Sequence, residues 1–156
     1  MVNRPADNDL TRERIAFLAE DFSRGFIQYC GIRVLHVEKG LFESETLIGD
    51  HHRTQDHFIH AGLMTTMADH TAGYAAFTTV SENHRILTVE LKINFLKPAF
   101  GNAIRCRSKV LNKGRQIIVA ESEVFDVREK GAKLVAKGIV TLMAVSAERL
   151  TKSNPE

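Results

Sequence analysis

Asp69 lies in the segment HAGLMTTMADHTAGYAAF, His60 to Phe77, with Met67, Ala68, Ala72 and Ala75 as near neighbours. A carboxylate among apolar residues is costly unless it is paired, protonated or put to use. The same segment opens with His60-Ala61-Gly62. If it is helical, the first backbone N–H groups have no partner within the helix and sit at the positive end of its dipole. Free amides aimed at one point can hold a developing oxyanion. The segment thus carries an anion-stabilising end and a carboxylate that stands to be used, but geometry separates them. The step from His60 to Asp69 spans about 13 Å of helix and two and a half turns. A site containing both must take Asp69 from one chain and the His60 end from another, which implies a two-fold dimer with two shared sites.

The elements that must position these residues follow from pattern. LTRERIAFLAEDFSRGFIQYC places apolar residues at Ile15, Phe17, Leu18, Phe22, Phe26 and Ile27, a helical stripe with a break or bend at Gly25. GIRVLHVEKGLFESETLIG alternates about Lys39-Gly40 as a β-hairpin does. HHRTQDHFI is a polar loop leading into the central helix. Beyond it, strand-like runs start at Arg85, Ala103 and Lys133, and Asn112-Lys113-Gly114 divides the second into two strands. The order is helix, two strands, long helix, four strands, which predicts an α+β domain whose antiparallel sheet wraps the long helix. Residues 1–156 form one domain, with loose tails at Met1–Asn8 and Thr151–Glu156. Within the helix, Gly73 reads as a place where sheet and helix pack tightly, because an interior glycine costs roughly 1 kcal/mol relative to alanine.

Composition excludes several functions. A formal charge of +2 gives no argument for nucleic acid, and no aromatic residues interleave with the basic ones to stack bases. No apolar run reaches the ~18 residues of a membrane span. The polar N-terminus lacks the apolar core of a signal peptide, and Cys30 and Cys106 have no metal or redox spacing, so reduced thiols and a cytoplasmic location are expected. His51, His52 and His57 near His60 raise the question of a metal, but loop histidines rarely supply convergent ligands, so none is expected. His70 is turned about 100° from Asp69 and reads as a packing or interface residue. Glu45 and Glu90 read as solvent-facing strand positions. Ser108 and Thr141 have no visible base partner for a serine-type mechanism. Lys92, Lys97, Arg105, Arg107, Lys109, Lys113 and Arg115 form a basic run that suits either a solvated sheet edge or a phosphate anchor.

The pattern resembles the PaaI-type branch of the hotdog-fold acyl-CoA thioesterases. The family motif of His-Gly-Gly, apolar residues, Ala-Asp and a small-residue tail stands here as His60-Ala61-Gly62, Met67-Ala68-Asp69 and Gly73-Tyr74-Ala75-Ala76. The strand ending Phe95-Leu96-Lys97-Pro98 matches the family's Phe-Leu-x-Pro, and the likeness runs from Gly31 to Val145. The resemblance implies a hotdog fold and hydrolysis of a small, medium or aromatic acyl-CoA without metal or other cofactor. It implies a homodimer or dimer of dimers. It makes Asp69 the catalytic carboxylate and the Ala61 amide the oxyanion donor, beside Gly62 and with His60 in support. Thr88 falls where relatives place the water, and Lys97 is the candidate for a CoA phosphate. Two departures stand out: the middle glycine is Ala61, and the position of a family Asn is Thr54, for which neighbouring Gln55 is the substitute candidate. The alternatives are an enoyl-CoA hydratase or dehydratase on the same fold and a non-catalytic acyl-CoA-binding protein.

Overall fold

The computed structural model describes residues 10–152. In chain order they form α1 (Arg12–Phe22), α2 (Phe26–Tyr29), β1 (Ile32–Glu38), β2 (Leu41–Leu47), α3 (Ala61–Phe77), β3 (His84–Phe95), β4 (Ala103–Lys113), β5 (Ile117–Arg128), β6 (Gly131–Ser146) and α4 (Ala147–Lys152). The tail expected at Met1–Asn8 lies outside the described residues. Of the other, Thr151 and Lys152 close α4, while 153–156 also lie outside.

Local signals set the element ends. Thr11 caps α1 by accepting from the Arg14 amide, and Gly25 at φ 58° turns the chain from α1 into α2. The β1–β2 turn uses Gly40 at φ 77°. All strand pairs are antiparallel, in the order β1-β2-β4-β5-β6-β3. The connection from β2 to β4 runs through α3 and β3, so α3 lies across the sheet and β3 becomes its far edge. Alternation on β5 buries Ile118, Ala120, Ser122 and Val124 on the helix side.

The small residues of α3 let the sheet come close. Ala68, Ala72, Ala75 and Ala76 are fully buried, and Ala72 and Ala76 pack with Ile118, Ala120, Val140 and Leu142. A buried polar seam crosses the same contact. Ser44 and Thr71 share a 2.7 Å hydrogen bond, Ser108 and Ser122 another of 2.7 Å, and Ser122 donates to the Ala68 carbonyl at 2.7 Å. These hydroxyls are wholly buried and all bonded, as buried polar groups must be.

Two expectations are corrected here. Glu45 does not face solvent: its side chain is 5% exposed and pairs with Arg33 at 2.7 Å and Arg105 at 2.5 Å. Burial pushes its carboxyl up, but the hydrogen bonds and charges of Arg105 and Arg33 outweigh this and hold it below the usual carboxylate range. Gly73 does not sit at a tight contact either. A Cβ built there meets nothing within 4 Å.

On its other side α3 is held by α1. The Arg14 guanidinium donates to the Phe77 carbonyl at 3.2 Å, a cation at the negative end of the helix, and lies 4.5 Å from the Phe77 ring centre. Tyr74 Oη donates to Asp21 at 2.8 Å, and burial pushes that phenol's pKa well up. His70 packs against the Phe22 and Tyr74 rings and donates from Nε2 to the Phe22 carbonyl at 3.1 Å.

Candidate active site

The N-terminus of α3 is held from behind by a short turn. An isolated bridge between Arg53 and Ile59 closes the turn, the Thr54 amide donates to the Phe58 carbonyl at 2.7 Å, and His57 accepts a positive φ of 66°. The His60 amide then bonds the His52 carbonyl at 2.9 Å and fixes where the helix begins. His60 is the N-cap: its Nδ1 accepts from the Gly62 amide at 2.8 Å. The Leu63 and Met64 amides reach the His60 carbonyl at 3.1 and 3.4 Å. The Ala61 amide has no acceptor among the described residues. The pair of donors expected at Ala61 and Gly62 is therefore divided, with Gly62 engaged in the cap and Ala61 open.

Ala61 lines a cleft of 360 Å³ together with Thr54, Phe58, Met64, Phe95 and Lys97. The loop carrying Lys97 is anchored by Asp126, a fully buried carboxylate that accepts from the Gly101 amide at 2.7 Å and the Phe100 amide at 3.2 Å. Arg128 balances its charge at 2.6 Å. Gly101 is required here, since a Cβ would collide with the Val127 carbonyl. Asp126 was not a candidate by sequence; its partners are set by strand register rather than by any local motif.

Asp69 lies farther along the same helix and lines a second cleft, of 240 Å³. Its Oδ1 accepts from Thr88 Oγ1 at 2.7 Å. A register shift between Thr88 and Glu90 on β3 marks a bulge, which breaks the ladder beside Thr88 and adds local twist. Residues four apart share a helix face, and Asp69, Gly73 and Phe77 all line this cleft, with Ile86 and Thr88 of β3 opposite. Within one chain, then, the free amide and the carboxylate occupy separate clefts.

Other sequence candidates fall elsewhere. Gln55 is exposed and donates to Asp56 at 3.3 Å; Thr54, beside it, lines the Ala61 cleft. His52 has both ring nitrogens engaged, accepting at Nδ1 from Gly49 and donating at Nε2 to Cys30, and burial lowers its pKa. No group of three potential metal ligands occurs among the described residues. Arg105 and Arg107 are committed to Glu45 and Glu43. Of the basic run, Lys97 lines the Ala61 cleft.

The family model of the thioesterase superfamily matches residues 56–133, half of this chain. An inferred esterase of Saccharolobus solfataricus is 32% identical over 122 residues, covering 78% of this chain and 86% of its own. The chain belongs to the thioesterase superfamily. As a member of it, the protein is a thioester hydrolase, and its sheet around one long helix is the hotdog arrangement. A thioesterase family protein from Silicibacter pomeroyi superposes with a TM-score of 0.81 at 31% identity, over 85% of this chain and 98% of that one. Zebra fish thioesterase superfamily member 2 shares the fold, with a TM-score of 0.72 at 20% identity over 86% of this chain and 98% of that one. The superfamily match spans Asp69, Thr88 and Lys97 as well as the cap at His60. Among the described residues no helix is long and apolar enough to cross a membrane.

Proposed function

We propose that this thioesterase hydrolyses acyl-CoA esters at sites shared between two subunits of a homodimer, with Asp69 as the catalytic carboxylate. The observation that carries the reading is the division of one helix into two half-sites, an open amide at Ala61 and a Thr88-bonded carboxylate at Asp69, about 12 Å apart. Edge strand β3 touches both. Its Ile86–Thr88 end borders the Asp69 cleft and its Phe95 end borders the Ala61 cleft. If β3 pairs antiparallel with the β3 of a second copy about its midpoint, the Thr88 end of one strand meets the Phe95 end of the other. Each Asp69 then faces the partner's open amide. Val89, 57% exposed, and Leu87, 40% exposed, lie on this edge, an arrangement that soluble proteins usually cover or blunt.

In the joined site the thioester carbonyl oxygen accepts from the Ala61 amide and gains from the helix dipole. Asp69 takes a proton from water as its oxygen attacks the carbonyl carbon, or attacks that carbon itself and is freed by water in a second step. In either route the C–S bond breaks and CoA leaves as the thiol. Thr88 orients the carboxylate. Lys97, beside the Ala61 cleft, suits a phosphate of the CoA arm.

The test is thiol release from acetyl-, hexanoyl-, phenylacetyl- and long-chain acyl-CoA by wild-type protein and Asp69→Asn. Turnover of at least one ester, reduced roughly 100-fold or more in the variant with its melting temperature preserved, is expected for loss of a catalytic base or nucleophile. Wild-type rates in Asp69→Asn overturn the assignment.

A further inference from the structure

The seam of hydroxyls beneath α3 interrupts rows that are otherwise apolar. On β5 the side chains facing the helix run Ile118, Ala120, Ser122 and Val124, all wholly buried. Ser122 stands opposite Ser108 in the β4–β5 register and donates its own proton to the Ala68 carbonyl at 2.7 Å. A hydroxyl has one proton to give, so Ser108 is the donor in its 2.7 Å bond with Ser122, and the chain runs Ser108 to Ser122 to Ala68. The accepting oxygen belongs to the peptide group that joins Ala68 to Asp69. The bond therefore grips the backbone from which the carboxylate hangs, while Thr88 holds its Oδ1 at 2.7 Å. Asp69 is tied to the sheet twice, to β5 through its backbone and to β3 through its side chain. The need for such a tie follows from α3 itself. Between Met67 and Phe77 every buried side chain of the helix is Ala or Thr. So smooth a face fits closely against the sheet, but it carries no ridge that interlocks along the helix axis.

We infer that Ser122 is a positioning residue for the hydrolysis, fixing how far α3 sits along the sheet and hence where Asp69 meets the partner subunit's open amide. This rests on the shared-site reading with Asp69 as the reacting carboxylate. α3 and β3 run in opposite directions, since the Asp69 cleft borders the Thr88 end of β3 and the Ala61 cleft borders its Phe95 end. The two-fold axis that reverses β3 therefore reverses α3 as well. A slide of the helix along its own axis carries Asp69 one way and the partner's amide the other, so the gap between them changes by twice the slide. A slide of about 0.5 Å opens the site by about 1 Å, and misplacement of that size can cost roughly 100-fold in rate.

The experiment measures thiol release by wild type, Ser122→Ala and Val124→Ala, and by Ser122→Ala in the Asp69→Asn background, with a melting temperature for each. Val124→Ala removes a buried side chain from the same face of β5 and leaves the bond to Ala68 in place, so it reports what a loosened core does by itself. Ser122→Ala is expected to fold, because the Ala68 carbonyl keeps its helical partner. It should lose at least tenfold in kcat, with KM within threefold of wild type. Val124→Ala should melt lower than Ser122→Ala yet keep kcat within threefold. Adding Ser122→Ala to Asp69→Asn should lower the residual rate less than twofold, since the position of a carboxylate already removed no longer matters. Should Asp69→Asn have no measurable rate, the comparison with Val124→Ala decides alone. Should Ser122→Ala not fold, Ser122→Cys, which keeps the side chain and weakens the donor, takes its place. Wild-type kcat without the Ser122 hydroxyl overturns the inference. An equal fall in Val124→Ala, or an equal fold loss in the Asp69→Asn background, also overturns it, because the bond then serves stability in general. Wild type without turnover on any ester overturns the hydrolase reading, and this inference with it; turnover that falls in Asp69→Asn but not in Ser122→Ala overturns this inference alone.

Discussion

Ala61 offers an unusually clean probe of a backbone group. It is the first residue of α3, and the preceding His60 has φ −64° and ψ 132°, the extended geometry a following proline requires. Proline is favoured at this first helical position, where its missing N–H breaks no helical bond. Ala61→Pro should therefore fold with a melting temperature near wild type while losing the open amide. Removal of a single oxyanion donor typically lowers kcat roughly 100- to 1,000-fold. Steady-state kinetics on the best ester, alongside a thermal melt, checks this; a variant with wild-type kcat places the oxyanion donor elsewhere. Substitution with glycine, which restores the N–H, should leave kcat close to wild type.

Among the elements, the β1–β2–β4 sheet face depends on Glu45. Its folded pKa lies below that of an unfolded glutamate, near 4.3, so its pairing stabilises the fold fully above that value and is lost as pH falls through the lower folded value. Glu45→Gln should cost about 1 to 2 kcal/mol at pH 7. It should also flatten the fall in melting temperature below pH 5, measured by calorimetry from pH 3 to 7. Equal acid sensitivity in both proteins removes Glu45 as a cause. This glutamate also marks where the chain's pattern stops being readable. Its partners, Arg33 and Arg105, arrive through the β1–β2 and β2–β4 registers, and strand alternation alone gives no such pairing. By contrast, α3, the Gly40 hairpin and the break at Gly25 were legible because glycine positions, caps and helical spacing are local signals. Asp69 stood out as a carboxylate among apolar neighbours and Thr88 by likeness to a family, but the bond between them did not, because the place of Thr88 and the bulge beside it depend on β6. Gly73 was misread because small residues on a helix serve packing on one face and space on another, and periodicity does not say which.

For the whole molecule, the decisive prediction concerns sharing of the site. Asp69→Asn and Ala61→Pro homodimers are each expected to be nearly inactive. When the two are mixed under conditions that exchange subunits, each heterodimer contains one site with both an intact carboxylate and an intact amide. Activity should recover to about a quarter of the wild-type value, since random exchange makes half the dimers hybrid and half of each hybrid's sites intact. Recovery is measured by thiol release after exchange, and no recovery at confirmed exchange places both residues within one subunit. A charge on the β3 edge, as in Val89→Arg, is expected to halve the solution mass and abolish turnover together.

The placement of β3 has one more consequence, for the order in which the protein is made. Thr88 pairs in the sheet with Leu142, and among the described residues β3 has no other strand beside it. A ribosome must therefore release β4, β5 and most of β6 before β3 can dock and bring Thr88 to Asp69. During that interval a long strand containing Leu87, Val89 and Leu91 is in solution with neither edge paired, the condition under which nascent chains associate wrongly. The carboxylate's hydrogen bond is thus among the last contacts to form in synthesis, and loss of the final strand by premature termination removes it without touching either residue.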